Sequence, residues 1–87
     1  MGKSERKTYF VVQAFVEIDD VDHPIPEEPR EAPSAGAAKS LAKALAFEKA
    51  GVVAFSRTGD FELGEFEDAV ILESHGRVPH LADFYGD

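Results

Sequence analysis

The sequence predicts an α+β domain, with one helix packed on a small mixed three-stranded sheet in the order β-α-β-β and a C-terminal strap or short helix. Three observations carry this. Residues Thr8 to Asp19 alternate, placing Phe10, Val12, Ala14, Val16 and Ile18 on one wholly apolar face. Ser34 and Gly51 bracket an alanine-rich stretch as helix N-cap and C′ residue. Two short apolar runs, Val52 to Thr58 and Asp68 to His75, follow with glycines between and after them.

Each element has its own justification. The first strand turns Tyr9, Val11, Gln13, Phe15 and Glu17 to its second face, which is apolar at three of five positions, so both faces are expected to be covered. From Asp19 to Pro33, four prolines (Pro24, Pro26, Pro29, Pro33) and six acids speak against a regular element and predict a long loop crossing one face of the sheet. The helix is predicted over Ala35–Ala50, with Ala37, Ala38, Leu41, Ala44 and Leu45 facing inward. Its outer face carries Lys39, Ser40, Lys43 and Phe47. After the second strand, Arg57-Thr58-Gly59-Asp60 reads as a turn. Phe61 and Leu63 alternate with Glu62 before Gly64, and Gly76 ends the third strand. Leu81, Phe84 and Tyr85 suit one helical turn or a strap. A helix crossing between the first two strands makes them parallel neighbours, with the third added antiparallel. One helix covers one face only. The other is left to the tail or to a second subunit.

At 87 residues the chain allows one domain, 1–87, with a polar N-terminal arm (1–7), the acidic proline-rich loop (19–33) and a tail (78–87). Seventeen acids against nine bases give a net charge of -8. That balance argues against nucleic acid, whose backbone calls for clustered Lys and Arg. No apolar run approaches the ~18 residues of a membrane span. The absence of cysteine excludes disulfides, thiol catalysis and thiolate zinc sites. A polar start without an apolar signal core predicts a cytoplasmic protein. The charge is also local. Glu17 to Glu31 carries seven acids against Arg30 alone, and Asp60 to Glu73 carries six acids and no base. The N-terminal arm and the helix are weakly basic, so surfaces of opposite sign are expected.

No constellation compels a chemistry. Ser34-Ala35-Gly36-Ala37-Ala38-Lys39-Ser40 looks like a phosphate loop, but Ala38 and Pro33 stand where the motif requires glycine, so a helix start is the better account. Asp20, Asp22 and His23 offer oxygen and imidazole ligands, yet Pro24 and Pro26 occupy the space a calcium loop needs. No metal or other cofactor is predicted. His75 beside Glu73 and Arg77 has the ingredients of an acid or base, and reads better as a strand-end surface residue. Arg57, Asp60 and Glu65 form the densest polar cluster beside apolar strands. Its structural reading is an ion pair fixing the turn; its functional one is a small polar ligand site. No catalytic residue is assigned.

Tyr9-Phe10-Val11-Val12-Gln13-Ala14-Phe15, an alanine-rich helix and Gly51-Val52-Val53-Ala54-Phe55 resemble, at the level of hydrophobic pattern, half of a peptidoglycan-binding SPOR repeat. Most of the chain is more similar to short bacterial single-domain proteins without a known activity. That likeness runs through Gly51 to Asp60, Gly64-Glu65-Phe66-Glu67-Asp68-Ala69 and the Gly76-to-Pro79 ending. It implies a bacterial single-domain protein and brings no site with it.

The expected function is therefore a non-catalytic interaction or regulatory module. It is predicted to self-associate as a homodimer through the second sheet face, around Tyr9, Val11 and Phe15, with Phe47 exposed on the helix. A protein partner is compatible with the same surfaces. One alternative is a small ligand-binding domain or enzyme built on Arg57, Asp60 and Glu65. Another is an acidic partner of a basic protein, resting on charge alone.

Overall fold

Alternating apolar residues on both faces of one long strand set the plan of the molecule. The structure, a computed structural model, describes residues 6–60 and 62–79. Strand β1 (Lys7–Val16) occupies the middle of a curled sheet beside β4 (Gly51–Asp60). The short strands β2 (Ile25–Pro26) and β3 (Arg30–Ala32) lie along the outer side of β1, and β5 (Glu65–Phe66) and β6 (Val70–Gly76) along the outer side of β4. Helix α1 (Ala35–Leu45) covers one face. The α+β class holds, with more strand than predicted.

All strand pairs are antiparallel, which corrects the mixed sheet and the parallel pairing of the first two predicted strands. The reason lies in residues 19–33. They do not cross a face as a loop. They turn back along β1, pairing Val16 with Ile25 and Phe10 with Ala32. The chain has returned to the start of β1 before α1 begins, so the helix carries it to the far end. β4 then runs back from Gly51 opposite Phe15 to Gly59 opposite Lys7. Proline is tolerated in this segment because its strands are short and lie at the edge.

The helix start is as predicted: the Ser34 Oγ accepts a hydrogen bond from the Ala37 N–H at 3.1 Å. The helix ends at Leu45 rather than Ala50, and residues 46–50 form turns. Ala38 and Ala42 are fully buried against Val12, Ala14, Val52 and Ala54, since methyl side chains let the helix axis approach the sheet closely. Phe10, Leu41, Leu45 and Leu72 close the edges of this core. On the second face Phe15, Val53 and Phe55 form another buried cluster, with Val11, Ala69 and Val78 packed against it. Buried among them on β1, Gln13 donates from Nε2 to the carbonyls of Ala14 and Glu27, so it leaves no amide proton stranded.

Two glycines exchange the roles predicted for them. Gly51 opens β4 instead of closing the helix, and a Cβ there would run into the carbonyl oxygen of Arg77. Gly59 sits inside β4, where a Cβ would meet β5 backbone, so Arg57 to Asp60 is strand and not turn. The turn comes later, with Gly64 at φ 70°. The tail residues Leu81, Phe84 and Tyr85 lie outside the described residues, as does most of the N-terminal arm.

Candidate functional site

The predicted polar cluster divides into two structural devices. Arg57 and Asp60 are three apart on one strand and so fall on opposite sides of it. Arg57 donates from Nε to the Glu67 carbonyl at 3.1 Å, and its guanidinium carbon lies 5.4 Å from the centre of the Phe66 ring. Tyr9 tilts against the same ring at 6.5 Å, and Arg6 pairs with Glu67 at 2.7 Å. Together these contacts seat β5. Asp60 is buried and builds the following turn: its Oδ1 accepts from the N–H groups of Glu62 at 2.8 Å and Leu63 at 3.2 Å. Among the described residues, the Asp60 Oδ2 is buried without a partner. Glu65 is exposed opposite Asp60 in the β4–β5 register.

Among the described residues, a groove lies at the other edge. It holds about 360 Å³ and is lined by Glu27, Glu28, Pro29, Arg30 and Lys49. Lys49 pairs with Glu27 across it at 3.0 Å. Asp22 and His23 approach each other at 3.4 Å on an exposed turn. Among the described residues no three acids or histidines gather as a metal site, and no helix is long and apolar enough to cross a membrane.

The predicted self-association residues are distributed unevenly. Phe15 is fully buried within its own chain and offers no surface. Tyr9 and Val11 are half-buried, Tyr9 against Phe66 and Val11 against the second cluster. Phe47 stands almost bare, 91% exposed, on the turn after the helix. The second face is thus largely occupied within the chain.

The surface that the sequence reading missed is the edge strand β6. Val70 and Ile71 are 59% and 48% exposed, and the strand contains no proline, lysine or arginine. Among the described residues, no strand pairs with its outer side. Such an edge presents free N–H and C=O groups to any incoming strand. The adjacent Val70-Ile71 pair was the available signal, since a strand with one covered face rarely shows apolar side chains to both sides.

The one acid of β6 is neutralised locally. Glu73 and His75 share the helix side of the sheet, opposite Ala54 and Val52, and the His75 Nε2 lies 2.8 Å from the Glu73 carboxylate. Lys43 reaches down from α1 to the other carboxylate oxygen at 3.6 Å. The hydrogen bond from His75, and then the charge of Lys43, hold the Glu73 carboxyl below its usual range against the opposing effect of desolvation. Arg77, which the sequence placed beside His75, pairs instead with Glu17. Comparison with protein-family models, curated proteins and solved structures finds no match to this chain.

Proposed function

We propose that this protein is a non-catalytic interaction module that self-associates by adding β6 of one copy to β6 of another. The observation that carries the reading is the proline-free edge of β6, which no strand among the described residues pairs, with Val70 and Ile71 exposed on it. Strand addition draws its affinity from main-chain hydrogen bonds, so it needs no deep pocket, and burial of Val70 and Ile71 adds an apolar contribution. A second copy suits this edge because its only acid is already matched by Lys43 and His75, which leaves little like-charge repulsion at the seam despite a net charge of -8. The surface differs from the second-face contact that the sequence suggested, since Phe15 is taken up in the chain's own core.

Light scattering coupled to size exclusion, over a wide concentration range, tests the proposal. A concentration-dependent dimer is expected. Ile71→Lys places a charge on the edge and is expected to weaken the dimer by roughly tenfold or more, with little change in monomer stability. A chain that stays monomeric at every concentration, or a dimer indifferent to Ile71→Lys, removes β6 as the interface.

A further inference from the structure

Resting on the self-association reading above, we infer that the dimer seam carries a metal site: the His75 imidazoles of the two copies meet on the two-fold axis and bind one divalent transition metal ion, such as zinc. The backbone phase of β6 places the axis, and the Glu73–His75 hydrogen bond prepares the ligand atoms.

The carbonyls of Ala50 and Thr58 accept from the N–H groups of Arg77 and Glu67, so even-numbered β4 residues turn their backbone groups towards β6 and β5. Val52 and Ala54 therefore exchange hydrogen bonds with His75 and Glu73, their register partners. Ser74 and Gly76 are left with N–H and C=O groups pointing outward. For the Gly76 carbonyl this holds despite a φ of 71°, since the Arg77 N–H in the same peptide plane points inward to Ala50. A register shift interrupts the ladder between Ile71 and Glu73, so Ser74 and Gly76 form the regular free edge. An antiparallel two-fold centred on His75 pairs Ser74 of each copy with Gly76 of the other and uses all of these outward groups. Centred on Ser74 or Glu73, the axis sets Gly76 opposite residues at or beyond the register shift. Centred between two residues, it sets outward groups against inward ones.

The axis makes the two His75 residues a non-hydrogen-bonded pair, with Cα atoms about 4.5 Å apart and side chains together on the helix side. Each imidazole is already oriented. Its Nε2 lies 2.8 Å from the Glu73 carboxylate, whose other oxygen Lys43 holds at 3.6 Å. An ionised carboxylate only accepts, so Nε2 carries the proton and Nδ1 keeps its lone pair. A carboxylate in this position orients a metal-binding histidine and raises its basicity. His75 makes no other hydrogen bond among the described residues.

One copy offers too few ligands, since among the described residues no three acids or histidines gather. Two copies bring two nitrogens to one place. Tetrahedral zinc, bonded at about 2.0–2.1 Å, sets two nitrogens about 3.3 Å apart, within reach of opposed side chains whose Cβ atoms are about 5 Å apart. Solvent takes the remaining positions. Imidazole nitrogen suits zinc, nickel or copper rather than calcium or magnesium. Because the site exists only in the dimer, the metal and the second copy tighten each other's binding.

Zinc chloride is the probe, and the dissociation constant of the dimer in EDTA and in zinc is the readout. At zinc about tenfold above the site's own dissociation constant, association is expected to tighten roughly tenfold, with one metal bound per two chains. His75→Ala is expected to lose this response and keep the dimer seen in EDTA, because the backbone pairing survives. His23→Ala is expected to keep both. The chain has no native cysteine, so cross-linking reads the register. Mild oxidation of His75→Cys in EDTA is expected to link the copies, whereas Ser74→Cys, about 8 Å from its counterpart, is expected to stay unlinked. A zinc response carried by His75, with linkage through position 75, supports the inference. A dimer indifferent to zinc, one whose response survives His75→Ala, or one linked through position 74 instead overturns the site and leaves strand addition standing. A chain monomeric in EDTA that zinc dimerises through His75 upholds the site and overturns unaided self-association. A monomer in both overturns both.

Discussion

One edge of the sheet is made of β2 and β3, two residues and three residues long, with Pro24, Pro26, Pro29 and Pro33 in and around them. The other is dominated by β6, seven residues without proline and with Val70 and Ile71 in the open. Both lie beside strands of the same two-strand centre, so the difference is not imposed by position. Proline removes a donor, and a broken strand offers no continuous ladder, so the first edge is closed to a further strand. β6 has no proline, and its ladder is interrupted once, by a register shift between Ile71 and Glu73. On the self-association proposed above, a two-fold pairing through the β6 edge stops at two copies.

The largest predicted effect comes from how each edge is attached. β6 meets the start of β4 where Gly51 and Gly76 face each other, and a Cβ on Gly51 would run into the Arg77 carbonyl. β3 is held instead by the side chain of Ala32, buried in the main core. Gly51→Ala is therefore expected to cost about 3 kcal/mol, from forced backbone displacement. Ala32→Gly should cost about 1 kcal/mol, from backbone entropy and a lost methyl. Urea denaturation measures both, and hydrogen exchange should show the Gly51→Ala loss concentrated in β6. Equal costs would mean that the two edges are docked by the same means.

Some of this was readable in the sequence because its physics is local. The faces of β1 follow from a period of two that no later topology can change, and Phe10, Val12 and Ala14 do face the helix. The Ser34 cap depends on its own few residues. The direction of β4 was not readable, since it turns on whether residues 19–33 come back along β1. That pairing is made by strands too short to show a period. Composition also cannot separate a glycine needed for positive φ, such as Gly64, from one needed for close backbone approach, such as Gly59. At the site, Glu73 and His75 were visible as neighbours. Lys43, some thirty residues away, joins them only once α1 lies over β6.

A middle-sized effect is expected from opening the blocked edge. Pro26→Val with Pro29→Val restores one backbone donor on β2 and one just before β3, and leaves β6 untouched. Stability should change by no more than about 1 kcal/mol, because proline acts here mainly on the unfolded chain. Assembly should change in kind: with two usable edges, each copy can take two neighbours, and light scattering should show species beyond the dimer. If the double variant still stops at two copies, the prolines are not what limits growth.

The smallest effect concerns the acid that keeps β6 neutral. Its lowered pKa means that the folded monomer prefers Glu73 ionised. That preference is worth its full amount above the ordinary glutamate value and is lost as the pH falls through the lowered one. Glu73→Gln cannot titrate, so the stability gap between wild type and variant should be constant near neutrality and shrink on acidification below about pH 4. Urea melts at concentrations low enough to keep the chain monomeric isolate this term from the dimer's own response. A gap that grew on acidification would mean that Glu73 is held in its neutral form, against the pull of the His75 hydrogen bond and the Lys43 charge.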